Sequence, residues 1–205
     1  NYHLGSQLIT VFVGAPAIIL IVFGDIFLTV WTQDAVLAES IAPLLSVMSL
    51  GTLLNCFMHM PYQLQLAHGW TRLTIYINAI AVLILVPAIF WAAPKYGAIG
   101  VAWIWVILNA SYIFLGNHFM FRRLLTKEKW SWYIDDISIP IIVAAGTATL
   151  IRWSIPKEDG ALGVLVLLLA SIVTLLVAAL TASLVRQQLY RYSVKFVSHI
   201  AQGKN

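Results

Sequence analysis

The sequence predicts an all-α integral membrane protein, a polytopic bundle of six transmembrane helices, and three observations support this fold class. Hydrophobic residues make up 61% of the chain and charged residues only 10%, whereas about a quarter of the residues in a soluble domain are charged. Six apolar stretches are each about 20 residues long, which is the length that crosses a bilayer as a helix. The eight Trp and eight Tyr residues belong to types that concentrate at membrane interfaces.

The six predicted spans follow one another with short connections. All should be helical, because a lone strand cannot satisfy its backbone in lipid, and none shows the alternating polarity of a membrane β-strand. The longest connection, residues 122–136, carries aromatic and basic residues and is predicted to lie at the interface. The spans cover residues 8–30, 41–67, 73–93, 98–121, 137–155 and 162–185.

The distribution of basic residues predicts the orientation of the chain. Three of them, Lys95, Arg152 and Lys157, fall on one side of the predicted bundle. The other nine fall on the side of both chain ends, and the positive-inside rule therefore places both ends in the cytoplasm. These nine are Arg72, Arg122, Arg123, Lys127, Lys129, Arg186, Arg191, Lys195 and Lys204.

Residues 186–205 are predicted to form a cytoplasmic tail rather than a further span. Leu189, Phe196 and Ile200 fall on one helical face, with Arg191 and Lys195 opposite. A basic amphipathic helix of this kind lies in the plane of the lipid headgroups. The predicted organisation is thus a transmembrane bundle over residues 1–185, followed by this tail.

Motifs of enzymes and cofactor-binding proteins are missing from the sequence. There is no phosphate-binding glycine loop, no HExxH, no CxxC and no G-x-S-x-G. The single cysteine, Cys56, excludes an internal disulfide. We therefore predict no catalytic residue, no metal, no cofactor and no nucleic acid, and we predict membrane lipids as contacts of the chain.

The second span carries the most informative polar pattern. Asn55, His59 and Tyr62 follow i, i+4, i+7 spacing, and Gln63 lies beside them. Polar groups in hydrocarbon normally face a bundle interior or a wet cavity. Two interpretations follow: the face lines a substrate passage, or it makes hydrogen bonds that hold helices together. Further candidates for the cavity lining are Asn78 and Asn109.

Asp25 is the only acidic residue inside a predicted span. It is a candidate ion or proton site, or alternatively an interfacial residue near Trp31. Prolines inside the spans predict helix kinks. These prolines are Pro16, Pro61, Pro87 and Pro140.

Residues 61–101 resemble the C-terminal half of polysaccharide-exporting flippases. The resembling pattern is Pro61, an Ala-x-Gly turn and a basic residue, then Asn78, Pro87 and a Tyr-Gly-x-x-Gly turn at Tyr96. These flippases are the Wzx-like O-antigen translocases of the multidrug/oligosaccharidyl-lipid/polysaccharide exporter superfamily. Gly69 and Arg72 match the turn at the cytoplasmic face.

The resemblance implies one lobe of a two-lobe transporter, with an N-terminal half of the same transporter as its partner. The implied function is to move an undecaprenyl-pyrophosphate-linked oligosaccharide across the bacterial inner membrane for polysaccharide biosynthesis. Three alternatives remain: a cation-coupled multidrug exporter of the same superfamily, a membrane-bound sugar polymerase or transferase, and a non-transporting scaffold subunit.

Overall fold

The computed structural model describes residues 2–155 and 160–191, which form seven helices and no strand. The all-α prediction is therefore confirmed. A short final helix, α7, covers residues 183–191; the predicted tail beyond it, residues 192–205, lies outside the described residues. The others are α1 (Tyr2–Val22), α2 (Gly24–Thr32), α3 (Ala35–Ala67), α4 (Arg72–Arg123), α5 (Lys129–Ser154) and α6 (Gly160–Thr181).

Five of these helices are long and apolar enough to cross a membrane, namely α1, α3, α4, α5 and α6. The predicted number was six, and the difference lies in α4. Gly97 in α4 has φ 61° and ψ −153°, a conformation that interrupts the helix. The predicted spans 73–93 and 98–121 are the two arms of this one element.

The two arms of α4 run antiparallel. The Tyr112 hydroxyl donates to Asn78 Oδ1 across 3.3 Å, and Ile77 packs against Gly116. We call residues 72–96 the outer arm, since most of its side chains are exposed. The inner arm, residues 98–123, packs on α3, where Gly51 leaves room for the Trp105 ring.

Three of the four predicted proline kinks coincide with irregular turns. Pro16 follows a π-helical turn at Thr10–Gly14, and Pro140 follows another at Trp132–Ser138. α3 is interrupted at Met58, just before Pro61. Proline lacks an N–H and its ring crowds the carbonyl four residues earlier, so the preceding turn widens or breaks. The helix continues through Pro87.

The core lies among α1, α3, α5 and the inner arm. Its largest buried side chains are Phe23, Met120, Phe121 and Trp132. Trp132 belongs to the segment predicted as an interfacial connection, residues 122–136. In the structure α4 runs to Arg123 and α5 already begins at Lys129, so most of that segment is helical and Trp132 is buried. Small residues let α6 approach α1 and α5 closely. They include Ala15, Ala144, Ala178 and Ala182.

Contacts divide the bundle into two ends. At one end His3 meets Glu128, and the Arg123 guanidinium stacks 4.4 Å from the Trp70 ring centroid. Arg191 borders the same groove as His3, so both ends of the described chain lie here. At the opposite end Asp25 meets Arg152. We call the first the basic end.

Gly97 offers a direct test of the α4 hairpin. Its φ of 61° with ψ −153° is open to glycine alone, so Gly97→Ala should destabilise the protein by about 1–3 kcal/mol. Gly146→Ala is the matched control, because a Cβ at Gly146 would meet nothing within 4 Å. The measurement is the thermal unfolding temperature in detergent, with circular dichroism as the signal. Equal unfolding temperatures for both variants would contradict the hairpin geometry.

Candidate functional site

A polar stripe runs along one side of α3, where the helix is interrupted at Met58. Asn55 is half-buried, and His59, Tyr62 and Gln63 are exposed on the surface of the bundle. The His59 Nδ1 atom lies 3.1 Å from the Cys56 carbonyl oxygen, which ties the ring to its own helix. We call Asn55, His59, Tyr62 and Gln63 the polar stripe.

Asn55 and Asn109 form a hydrogen bond between helices. Asn55 Nδ2 donates to Asn109 Oδ1 across 2.8 Å, and Asn109 Nδ2 donates to the Trp105 carbonyl across 2.8 Å. Asn109 is fully buried. Its side chain therefore links α3 to the inner arm of α4, and such contacts in membranes contribute about 0.6 kcal/mol on average.

Asn78 lies apart from this pair, on the exposed outer arm. Its amide oxygen accepts the hydrogen bond from the Tyr112 hydroxyl. The structure thus joins Asn55 with Asn109, and Asn78 with Tyr112. Only the stripe on α3 keeps several polar side chains of the predicted set together on an exposed face.

Asp25 is engaged in an ion pair. Arg152 Nη2 lies 2.6 Å from Asp25 Oδ2, and both side chains are 22% exposed. The Arg152 guanidinium also sits 5.7 Å from the Phe23 ring centroid. The opposite charge offsets the cost of placing the carboxylate in an apolar bundle. The ion pair therefore links α2 to α5.

Gly69 and Arg72 lie at the basic end, where α3 turns into α4. The sequence predicted a turn here, between the second and third spans. Gly69 has φ 63°, a left-handed conformation suited to glycine. Thr74 Oγ1 donates to Gln65 Oε1 across 2.9 Å and closes the turn. Arg72 begins α4 with its side chain exposed.

A buried polar cluster at the basic end was not predicted. Asp136, only 1% exposed, accepts hydrogen bonds from Gln7 Nε2 at 2.9 Å and from His3 Nδ1 at 2.5 Å. Gln7 Oε1 in turn accepts from the Leu184 backbone N–H at 2.8 Å. We call His3, Gln7 and Asp136 the Asp136 cluster. It joins α1, α5 and α7.

Two neighbouring contacts extend this junction. The Trp132 indole donates to Ser6 Oγ across 3.0 Å, and His3 Nε2 lies 3.2 Å from Glu128. The i, i+4 spacing of His3 and Gln7 signals one polar helix face before the first predicted span. That signal was missed because the predicted spans began at residues 8 and 137, so that His3, Gln7 and Asp136 all fell just outside them.

Comparisons with models of known protein families, with curated proteins and with solved structures give no match.

Proposed function

We propose that this chain is one lobe of a transporter that moves a lipid-linked oligosaccharide across the bacterial inner membrane. The observation that supports it is the exposed polar stripe on a helix of membrane-spanning length. At a rise of 1.5 Å per residue, Asn55 lies about 18 Å and His59 about 12 Å from the Ala67 end of α3. These depths fall inside a hydrocarbon layer about 30 Å thick.

Polar side chains at this depth are costly when they face lipid tails. Intramembrane polar residues almost always face a bundle interior or a water-filled cavity. His59, Tyr62 and Gln63 are exposed rather than turned into the core of this bundle. A second lobe facing α3 across a hydrated cavity removes the cost, and such a cavity admits a sugar and a pyrophosphate while the lipid tail stays in the bilayer.

Two observations favour the flippase over its alternatives. A cation-coupled drug exporter calls for an unpaired acid within the membrane, whereas Asp25 pairs with Arg152. A sugar polymerase calls for a sizeable loop that gathers polar groups, whereas only Gln33 and Asp34 separate α2 from α3. The resemblance of residues 61–101 to Wzx-like translocases supplies the substrate class.

Complementation tests the proposal. The full-length parent protein is expressed in a bacterium that lacks its own repeat-unit flippase, and surface polysaccharide is measured. Wild type should restore the polysaccharide. The double variant His59→Leu, Gln63→Leu should lose most of it at an unchanged protein level, because the cavity wall becomes apolar. His68→Leu, an exposed histidine in the turn after α3, is the matched control.

Two results would contradict the proposal. No restoration by wild type, with normal expression and in hosts that supply several different lipid-linked repeat units, would turn the assignment toward drug export. Full activity of the His59→Leu, Gln63→Leu variant would show that the stripe does not line the passage, as expected for a scaffold subunit.

A further inference from the structure

The α4 hairpin encloses a long apolar groove between its two arms. The groove has a volume of about 660 Å³ and is lined by both arms from Leu73 and Phe119 at the basic end to Ala88 and Ile104. That volume lies within the range of pockets that hold small molecules. At 1.5 Å per residue, the lined part of the outer arm is about 22 Å long, which exceeds the roughly 15 Å half-thickness of the hydrocarbon layer.

The floor and the rim of the groove differ in the size of their side chains. Small residues, Ala81 and Gly116, are buried at the floor. Large apolar side chains stand exposed along the rim, among them Ile84 at 65% and Ile107 at 65% exposure. This shape suits a slender hydrocarbon chain lying along the hairpin, with contacts from both arms.

The mouth of the groove at the basic end is positively charged. Arg72 precedes Leu73, and Arg122 lies one helical turn beyond Phe119. Stacking of Arg123 on Trp70 brings the two ends of the hairpin together here. Neither Arg72 nor Arg122 forms an ion pair with any described residue, because the ion pairs of the described chain are His3–Glu128, His3–Asp136 and Arg152–Asp25.

We propose that this groove binds one hydrocarbon chain of an anionic membrane phospholipid, whose phosphate is held by Arg72 and Arg122. The charge of the mouth selects an anionic headgroup, because each basic residue near the membrane surface favours such a lipid. The described residues that line the groove all belong to the hairpin and include none of the stripe, and the site does not depend on the proposed transport activity.

Native mass spectrometry of the full chain in detergent tests the headgroup. Phosphatidylglycerol should be retained over phosphatidylcholine with the same chains by at least about five-fold, the effect of one basic residue at the surface. The double variant Arg72→Gln, Arg122→Gln should lose this preference. Lys95→Gln, at the other tip of the hairpin, should keep it. Equal retention of both lipids by wild type would overturn the proposal.

A second pair of variants tests the groove itself. Ala88→Phe fills it and should reduce the retained phosphatidylglycerol, whereas Ala79→Phe, on the opposite face of the outer arm, should not. Unchanged retention in Ala88→Phe would overturn the site. Circular dichroism checks that each variant keeps its helical content.

Photocrosslinking repeats the test on the unaltered chain. Phosphatidylglycerol carrying a diazirine in one acyl chain is expected to label peptides from both arms of α4 more than peptides from α6. Labelling spread evenly over α4 and α6 would overturn the proposal, since it shows ordinary lipid contact. Excess undecaprenyl phosphate that abolishes the labelling would overturn it as well, by assigning the groove to a polyprenyl chain.

Discussion

Replacing Asp136 with alanine is expected to destabilise the protein by about 2–5 kcal/mol, because two donors lose their acceptor and each unsatisfied buried group costs about 1–3 kcal/mol. The substitution leaves the side chains of Gln7 and His3 without their acceptor inside the bundle. The measurement is the loss of helical signal on heating or on addition of denaturant in detergent.

Asp135 supplies the matched control for this prediction. It carries the same charge one residue earlier, but it is exposed, and among the described residues its one hydrogen-bond donor is Ser131 Oγ at 2.9 Å. Asp135→Ala should change stability by less than about 0.5 kcal/mol, as is usual for surface substitutions. Similar losses of stability for Asp135→Ala and Asp136→Ala would show that the Asp136 cluster does not hold the basic end together.

Removing Arg152 should take from Asp25 the guanidinium that pairs with it at 2.6 Å. Arg152→Leu is expected to cost roughly 1.5–3 kcal/mol, the usual worth of a hydrogen bond between charged groups. Asp25→Leu combined with Arg152→Leu should recover most of that loss, since the pair is then removed as a whole. Unfolding of the two single variants and the double variant gives the coupling free energy.

The same variants separate a structural ion pair from an ion site. If Asp25 binds a transported ion, Arg152→Leu leaves stability unchanged and the double variant loses transport in the complementation assay. Recovery of both stability and transport in the double variant would show that Asp25 and Arg152 have a structural role only.

The apolar stretches and the turn glycines made most of the fold predictable. Runs of about 20 apolar residues identify helices of spanning length whatever they pack against, and Gly69 and Gly97 marked two reversals. Helix ends were harder to predict. Residues 129–136 carry charged and polar groups, so they resemble a connection, although Trp132 and Asp136 are buried in α5.

The partners of polar residues were beyond reach of the sequence. Periodicity placed Asn55 on a polar face, but its partner Asn109 lies 54 residues away. Gln7 finds its donor, the Leu184 backbone N–H, 177 residues further on. Local spacing reveals which residues share one helix face, whereas the helix that meets this face depends on the packing of the whole bundle.

The sharp reversal at Gly97 also bears on how the chain enters the membrane during synthesis. Both arms of α4 are apolar, and in the predicted orientation the segment between them that reaches the far aqueous side is the short tip around Pro94, Lys95 and Tyr96. Lys95 folds back to within 4.6 Å of the Trp91 ring centroid, which shields its charge in part. In that predicted orientation a single lysine in the tip has to cross the bilayer, and we expect the two arms to insert together.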